Sequence, residues 1–190
     1  MNSPTTPTSA NVKRSRKTLI IVLAAFIVPV LAAKLVLYFD WYQGGVTNQG
    51  QLLDSSMSYQ SMQMTNPAPQ LWQMAYLLPE QCDQSCLSRL YVLNQTHVAL
   101  GRHRDRVTPV IITTKRSDTK ALSQFDVDFE TVRASKDMTA HLTSNQFVII
   151  DPLGSMVMQY PGVVGQQQNI ALGKAMIADL RKMLKLSRVG

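Results

Sequence analysis

Cys82 and Cys86 are the only two cysteines in the chain, and on a helix a spacing of four puts both sulfurs on one face. Three chemistries are open to such a pair. It can share a soft metal ion, cycle between dithiol and disulfide, or close a bridge that does nothing further. Cu(I) prefers thiolates and Cu(II) adds imidazole nitrogen, whereas a closed zinc site wants four ligands. A helix N-terminus favours the thiolate and would make Cys82 an attacking nucleophile. Asp83, next to it, opposes that with its negative charge. The inert bridge would close only the short loop between the two residues, which stabilises little.

Other candidate groups are few. His97 falls on the helix expected after the cysteines, and its neighbours Asn94 and Val98 suit a polar structural role. His103 sits in a basic loop with Arg102, Arg104 and Arg106, a solvated turn or a contact for an anionic partner. Ten methionines include Met57, Met62, Met64 and Met74 in or near a polar stretch, and Met156 and Met158 at strand spacing. Thioethers can bind Cu(I), but flexible core filling accounts for most of them. Asn94-Gln95-Thr96 is a formal glycosylation sequon, placed on a helix. The chain offers no Ser/His/Asp set, no phosphate-cradling glycine loop and no carboxylate pair for acid–base work.

The elements that must position the cysteines follow from periodicity. Leu71–Leu78 reads as a strand ending at Pro79. Asp83–Leu100 is a helix with Leu87, Leu90, Tyr91 and Val98 at helical spacing and Gly101 at its end. Val107–Thr114 is a β-branched buried strand. Asp118–Gln124, capped by Ser117, is a short helix, and Phe129–Arg133 a short strand. Phe147–Ile150 and Ser155–Tyr160 form a hairpin about the turn Asp151-Pro152-Leu153-Gly154. Gln168–Ser187 closes the chain as an amphipathic helix whose stripe runs through Leu172, Met176, Leu180 and Leu184. The expected order, β–α–β–α–β–β–α, is that of an α/β sandwich.

Thr18–Phe39 (TLIIVLAAFIVPVLAAKLVLYF) carries one charge, Lys34, and about 20 apolar residues suffice to cross a bilayer. Lys34 lies where its stem can snorkel, and Asp40-Trp41-Tyr42 follows as an interfacial aromatic belt. Lys13, Arg14, Arg16 and Lys17 precede it, so the positive-inside rule puts the N-terminus in the cytoplasm and the remainder on the periplasmic side of a bacterial inner membrane. A cleaved signal peptide, with Val30-Leu31-Ala32 as its site, is the competing reading. Of 19 Lys and Arg, five lie at or before Lys34, while all 12 acids lie after it. The exported part is therefore nearly neutral, and the basic total does not argue for nucleic acid. The expected organisation is a disordered cytoplasmic tail (1–17), a transmembrane helix (18–39), an extended arm or linker (40–69) with a short strand at Gln51–Leu53, and a globular domain (70–190).

Strand, Cys82-x-x-x-Cys86, amphipathic helix, the apolar strand Val110–Ile112 and Phe-Val-Ile-Ile-Asp-Pro-Leu-Gly together resemble the Sco family over roughly Leu71–Gly190. Those are membrane-anchored proteins that help install copper in cytochrome c oxidase. Gly44–Gly50 is more loosely similar to the family's early hairpin. The resemblance implies an α/β, thioredoxin-like fold: a central mixed sheet with flanking helices, preceded by one N-terminal transmembrane helix. It implies a factor in respiratory oxidase assembly, with copper bound by Cys82, Cys86 and His141, or with a partner's copper-site thiols kept reduced by the cysteine pair. Asp83 stands where the family usually has proline, and His141 lies about two residues early for the third ligand. A cell-envelope thiol–disulfide oxidoreductase using Cys82 and Cys86 catalytically is the alternative. Such enzymes mostly space their cysteines by two residues and carry a proline in the stretch here occupied by Thr143–Gln146. A non-catalytic assembly module with a structural disulfide is the third reading. An oxidase subunit or another envelope thiol protein is the expected partner in the first two.

Overall fold

The computed structural model describes residues 9–39, 48–54, 56–127, 129–143 and 145–189. They fall into two units, the first ending by residue 47 and the second beginning at Asn48. The aromatic belt expected at 40–42, and most of the glycine-rich stretch after it, lie outside the described residues.

The first unit is one helix, α1 (Ser9–Tyr38). Its Arg16–Val36 stretch, with a mean hydropathy of 2.8, is long and apolar enough to cross a membrane. The helix begins inside the expected tail, so residues 9–17 are helical. Once the apolar stretch has formed the costly first turn, extending it through Ala10, Lys13 and Arg14 adds a hydrogen bond per residue fixed.

The second unit is a six-stranded mixed sheet. Its strands are β1 (Gln51–Leu52), β2 (Trp72–Leu77), β3 (Val107–Thr113), β4 (Glu130–Arg133), β5 (Phe147–Ile150) and β6 (Met156–Tyr160), and its helices are α2 (Gln84–Ala99), α3 (Lys136–His141) and α4 (Gln166–Leu186). The order across the sheet is β1-β6-β5-β2-β3-β4. β2, β3 and β4 are parallel, while β5, β6 and β1 add on antiparallel. This is the central mixed sheet with flanking helices that the resemblance implies. β2 is buried at every position, as a central strand covered on both faces must be. Pro109 is tolerated in β3 because pairing with β4 begins only at Val110, which leaves an open side for a residue without an N–H.

Strand alternation splits the core in two. On one face Trp72, Met74, Tyr76 and Leu78 pack with Leu90 and Leu93 of α2 and with Leu172, Met176, Leu180 and Leu184 of α4. On the other, Ala75, Leu77, Val110, Ile112, Val148 and Ile150 pack under Tyr59, Met62, Met138 and Leu142. Met156 and Met158 do not share a face as strand spacing suggests. The register between β5 and β6 shifts at Ile149/Ile150, and this bulge sends Met156 to the second core and Met158 to the first.

Four more details depart from the sequence reading. The described part of the expected linker, from residue 48 on, belongs to the compact unit: β1 pairs with β6, and Tyr59 is 1% exposed. The expected helix Asp118–Gln124 is a 3-10 turn, Thr119–Gln124, that begins after Asp118. Ser117 instead accepts from the Thr114 N–H and donates to the Leu78 carbonyl. The helix α3 was not anticipated, although Ser135 caps it by accepting from the Met138 N–H. That Ser-x-x-Met cap was the available signal.

Candidate functional site

β2 ends at Leu77, and the chain turns through Pro79 into the first turn of α2. Serine and aspartate are the residues that clasp this turn. The Ser117 hydroxyl holds the Leu78 carbonyl at 2.7 Å, and the Asp118 N–H holds the Pro79 carbonyl at 2.9 Å. Cys82 and Cys86 sit just beyond and are joined as a disulfide, with their Cα atoms 5.1 Å apart. The pair is asymmetric. Cys86 is 1% exposed and part of the first core, whereas Cys82 is half-buried against that core.

Asp83 is the N-cap of α2 and accepts from the Cys86 N–H at 2.8 Å. The Cys82 N–H makes a long contact, 3.4 Å, to the Asp118 carboxylate. Helix N-terminal N–H groups ordinarily stabilise a nearby thiolate; here the cysteines' own N–H groups are turned to carboxylates. One turn further on, Arg89 is 8% exposed beside the Tyr76 hydroxyl. Burial raises the Tyr76 pKa, with Arg89 acting in the opposite direction. A carboxylate therefore faces the backbone of each cysteine, Asp118 at Cys82 and Asp83 at Cys86.

The structure does not bring His141 to the cysteines. The end of α3 and the residues just after it are divided between two surface depressions. Thr139, Leu142 and Thr143 line one together with Pro79 and Glu80, near the cysteine turn. His141 lines the other, with Asp54, Met57, Met62 and Asp137, on the side of the second core. Among the described residues no three His, Cys, Asp or Glu side chains are grouped so as to hold a metal ion. Cys82, Cys86 and His141 form no such group in this arrangement, in which the two sulfurs are bonded to each other. The methionines, too, do their work in the cores: Met62, Met74, Met138, Met156 and Met158 are all buried.

His97 has a structural place. Its Nε2–H donates to the carbonyls of Val107 (2.8 Å) and Arg104 (3.2 Å), which ties α2 to the entry of β3. His103 lies in a 3-10 turn, Gly101–Arg106. In that turn Arg106 donates to the carbonyls of Leu184 and Ser187 at the end of α4. The turn Asp151–Gly154 is built by Asp151, whose Oδ1 accepts from the Leu153 and Ser155 N–H groups. A helical Asn94 and its sequon stay on α2.

Sequence reasoning missed Asp179. It is 1% exposed and accepts from the N–H groups of Gln49 (2.8 Å) and Gly50 (3.0 Å) and from the Tyr160 hydroxyl (2.9 Å). Lys182 lies 3.6 Å from its other oxygen. Gly50 is required for this approach, because a Cβ there would come within 2.6 Å of Met158. The only signal in the sequence was one acid within the α4 stripe, three residues before a lysine.

Residues 72–187 match the family model described as "transmembrane-like, thioredoxin-like, C-terminal domain". No curated protein matches the chain. Among solved structures, apo Sco1 from Thermus thermophilus is 14% identical, covering 74% of this chain and 99% of its own, at a TM-score of 0.48. Copper-bound ScoI from Bradyrhizobium japonicum is 16% identical over 66% and 95%, at 0.39. A secreted Mycobacterium tuberculosis disulfide oxidoreductase homologous to E. coli DsbE is 17% identical over 56% and 83%, at 0.40.

Proposed function

The chain belongs to the transmembrane-like, thioredoxin-like C-terminal domain family, and from that premise we propose that it is a membrane-tethered thiol–disulfide exchanger that donates electrons to disulfides of envelope proteins. The observation that carries this is the asymmetry of the pair: an accessible Cys82 and a buried Cys86 joined at a helix N-terminus. In the reduced protein the Cys82 thiolate attacks one sulfur of a partner disulfide and displaces the other as a thiolate. The Cys86 thiolate then attacks Cys82. The mixed disulfide breaks, the partner leaves as a dithiol after taking up protons, and the Cys82–Cys86 bridge is restored. Each turnover moves two electrons to the partner, and a dithiol donor of the envelope must return them.

The direction of flow follows from charge. Asp118, which faces the Cys82 N–H, and Asp83, the next residue along the chain, disfavour the Cys82 thiolate, and destabilising the reduced form makes a couple more reducing. The expected potential is nearer thioredoxin's value of about −270 mV than DsbA's of about −120 mV. Asp83→Asn and Asp118→Asn should each make it less negative. The test is a redox titration of the full chain in detergent, with Cys86→Ser used to trap mixed disulfides. Cys82→Ser abolishes exchange, and His141→Ala leaves it intact. A pair that strong dithiols cannot open, or a Cys86→Ser variant that traps nothing, overturns the reading.

Topology and partner complete the proposal. Lys13, Arg14, Arg16 and Lys17 support a cytoplasmic N-terminus and an exported domain at the bacterial inner membrane. The resemblance to Sco proteins supports copper-site thiols of a respiratory oxidase subunit as the client. Loading the reduced chain with Cu(II) separates this from copper carriage at a three-ligand centre: exchange predicts less than about a tenth of an equivalent retained against a competing chelator, for want of the imidazole that Cu(II) adds to thiolates.

A further inference from the structure

Beside the cysteine turn, α2 and α4 leave an open groove of about 790 Å³, lined by Gln84, Leu87, Ser88, Tyr91, Phe125 and Ile170 among others. The α2 side is one stripe, residues 84, 87, 88, 91, 92 and 95, a spacing that presents a single helix face. A second depression of about 220 Å³ prolongs it past Tyr91 to Ala99 and Ile177. Its floor is where the two helices touch: a Cβ on Gly173 would meet the Thr96 Oγ1 at 3.0 Å. Tyr91 is 58% exposed and Ile170 48%, although both are apolar residues at a helix–helix seam.

The chemistry of the groove is specific. The larger depression is lined by no charged side chain. Its polar members are amides and hydroxyls, and Lys174 enters only at the far end. Asn169, 5% exposed, lines both depressions. Its amide nitrogen donates to the Gly165 carbonyl at 2.8 Å, which fixes the amide and leaves Oδ1 as a buried acceptor with no partner among the described residues. Leaving a buried acceptor unsatisfied is costly in general, and here the residue that carries it lines the groove.

The geometry points to an extended, uncharged segment of a client polypeptide as the occupant, with a backbone N–H donating to Asn169 Oδ1. The lining of α2 from Gln84 to Ala99 runs for about 24 Å at 1.5 Å per residue. An extended strand of about seven residues has that length, whereas a compact small molecule would leave most of it empty. Apolar side chains of the segment would meet Leu87, Tyr91 and Ile170, and the flanking glutamines accept and donate along a backbone. Because Gln84 opens both α2 and the groove, a segment seated there continues toward Cys82. This deepens the exchange reading by naming the client's docking track, and it rests on that reading only for the client's identity.

The test uses the full chain in lipid nanodiscs and a fluorescein-labelled, end-capped heptapeptide of alternating valine and serine. Saturable binding is expected to the oxidised protein and equally to the double variant Cys82→Ser, Cys86→Ser, where no thiol chemistry is possible. Docking and exchange are thereby separated. N-methylation of the peptide backbone, Ile170→Glu and Asn169→Leu are each expected to weaken binding at least tenfold. Leu153→Glu, in the exposed hairpin turn, leaves it unchanged. Ile170 is exposed, so its variant retains the fold should Asn169→Leu not. Absence of binding, binding indifferent to Ile170→Glu, binding indifferent to N-methylation, or self-association of the chain through this face overturns the proposal.

Discussion

The two faces of the sheet are both closed with help from residues 48–69, but by opposite means. On the first face a charged group does it: Asp179 of α4 reaches back to the Gln49 and Gly50 N–H groups and to Tyr160. On the second a neutral one does it. Gln73 of β2, fully buried, accepts from the Tyr59 hydroxyl at 2.9 Å and donates to Asn66 (2.7 Å) and the Ala68 carbonyl (3.2 Å). The first face keeps the groove and the disulfide, because two helices that touch at Gly173 and Thr96 leave room beside the contact. The second is sealed by the non-helical wrap from Tyr59 to Met64 and by α3, where flexible methionines fill an irregular space. Chemistry thus sits on the face covered by regular elements, and the irregular chain is spent on closure.

Removing each clasp measures the comparison. Asp179→Ala strands three donors, and breaking a buried charged network of this kind costs about 4 kcal/mol. Denaturant unfolding followed by circular dichroism should show it. The cost should be shared with Tyr160: a double-mutant cycle with Tyr160→Phe gives a coupling of about 1 kcal/mol or more. Gln73→Leu keeps the volume but leaves the Tyr59 hydroxyl buried without its acceptor, at about 2 kcal/mol. If the neutral clasp proves the costlier one, charge is not what distinguishes the faces.

A smaller change should move chemistry across the end of the sheet. Thr143 lies with Pro79 and Glu80 on the cysteine side of α3, while His141 lies on the other. Thr143→His adds an imidazole to the depression that reaches Pro79 and Glu80, and a third ligand of nitrogen suits copper. Retention of Cu(II) by the reduced chain should rise about tenfold, and His141→Ala should change nothing. The reverse pattern would show that His141 reaches the pair after all.

The elements that carry strong periodicity were legible in advance. β2, α2, the β5–β6 hairpin and α4 fall within two residues of their expected bounds, because each carries a continuous apolar stripe or run. The cysteine pair at the entry of α2 was legible for the same reason. What escaped was set by distant partners. Asp179 reads as one more surface acid until the chain from Gln49 is folded against it, and Asn169 as one more helix amide until Gly165 takes its nitrogen. His141 was placed by counting back from Asp151, and counting does not say which side of a short helix a residue takes. The linker reading of 48–69 rested on polar composition, yet its buried anchors are single residues, Tyr59 and Met62, too sparse to form a pattern.

The mildest prediction concerns pH and the seam between α2 and β3. Burial holds the His97 imidazole below its ordinary pKa, outweighing the two carbonyls that accept from its Nε2–H. The unfolded chain therefore takes up a proton near pH 6.5 while the folded chain does not. In the window from about 6.5 down to the folded value, the unfolded state binds more protons, so stability falls as pH falls and levels off below it. His97→Gln can still donate to the Val107 carbonyl and does not titrate, so the slope in that window should flatten with little change at pH 8. Asp54 on the second face works lower down: hydrogen bonds from Ser56 depress its pKa below 3.8. Its contribution is present above that value and fades only as pH drops through the folded value. Unfolding curves between pH 5 and 8 therefore read His97 and not Asp54, and a slope that survives His97→Gln would place the titrating group elsewhere.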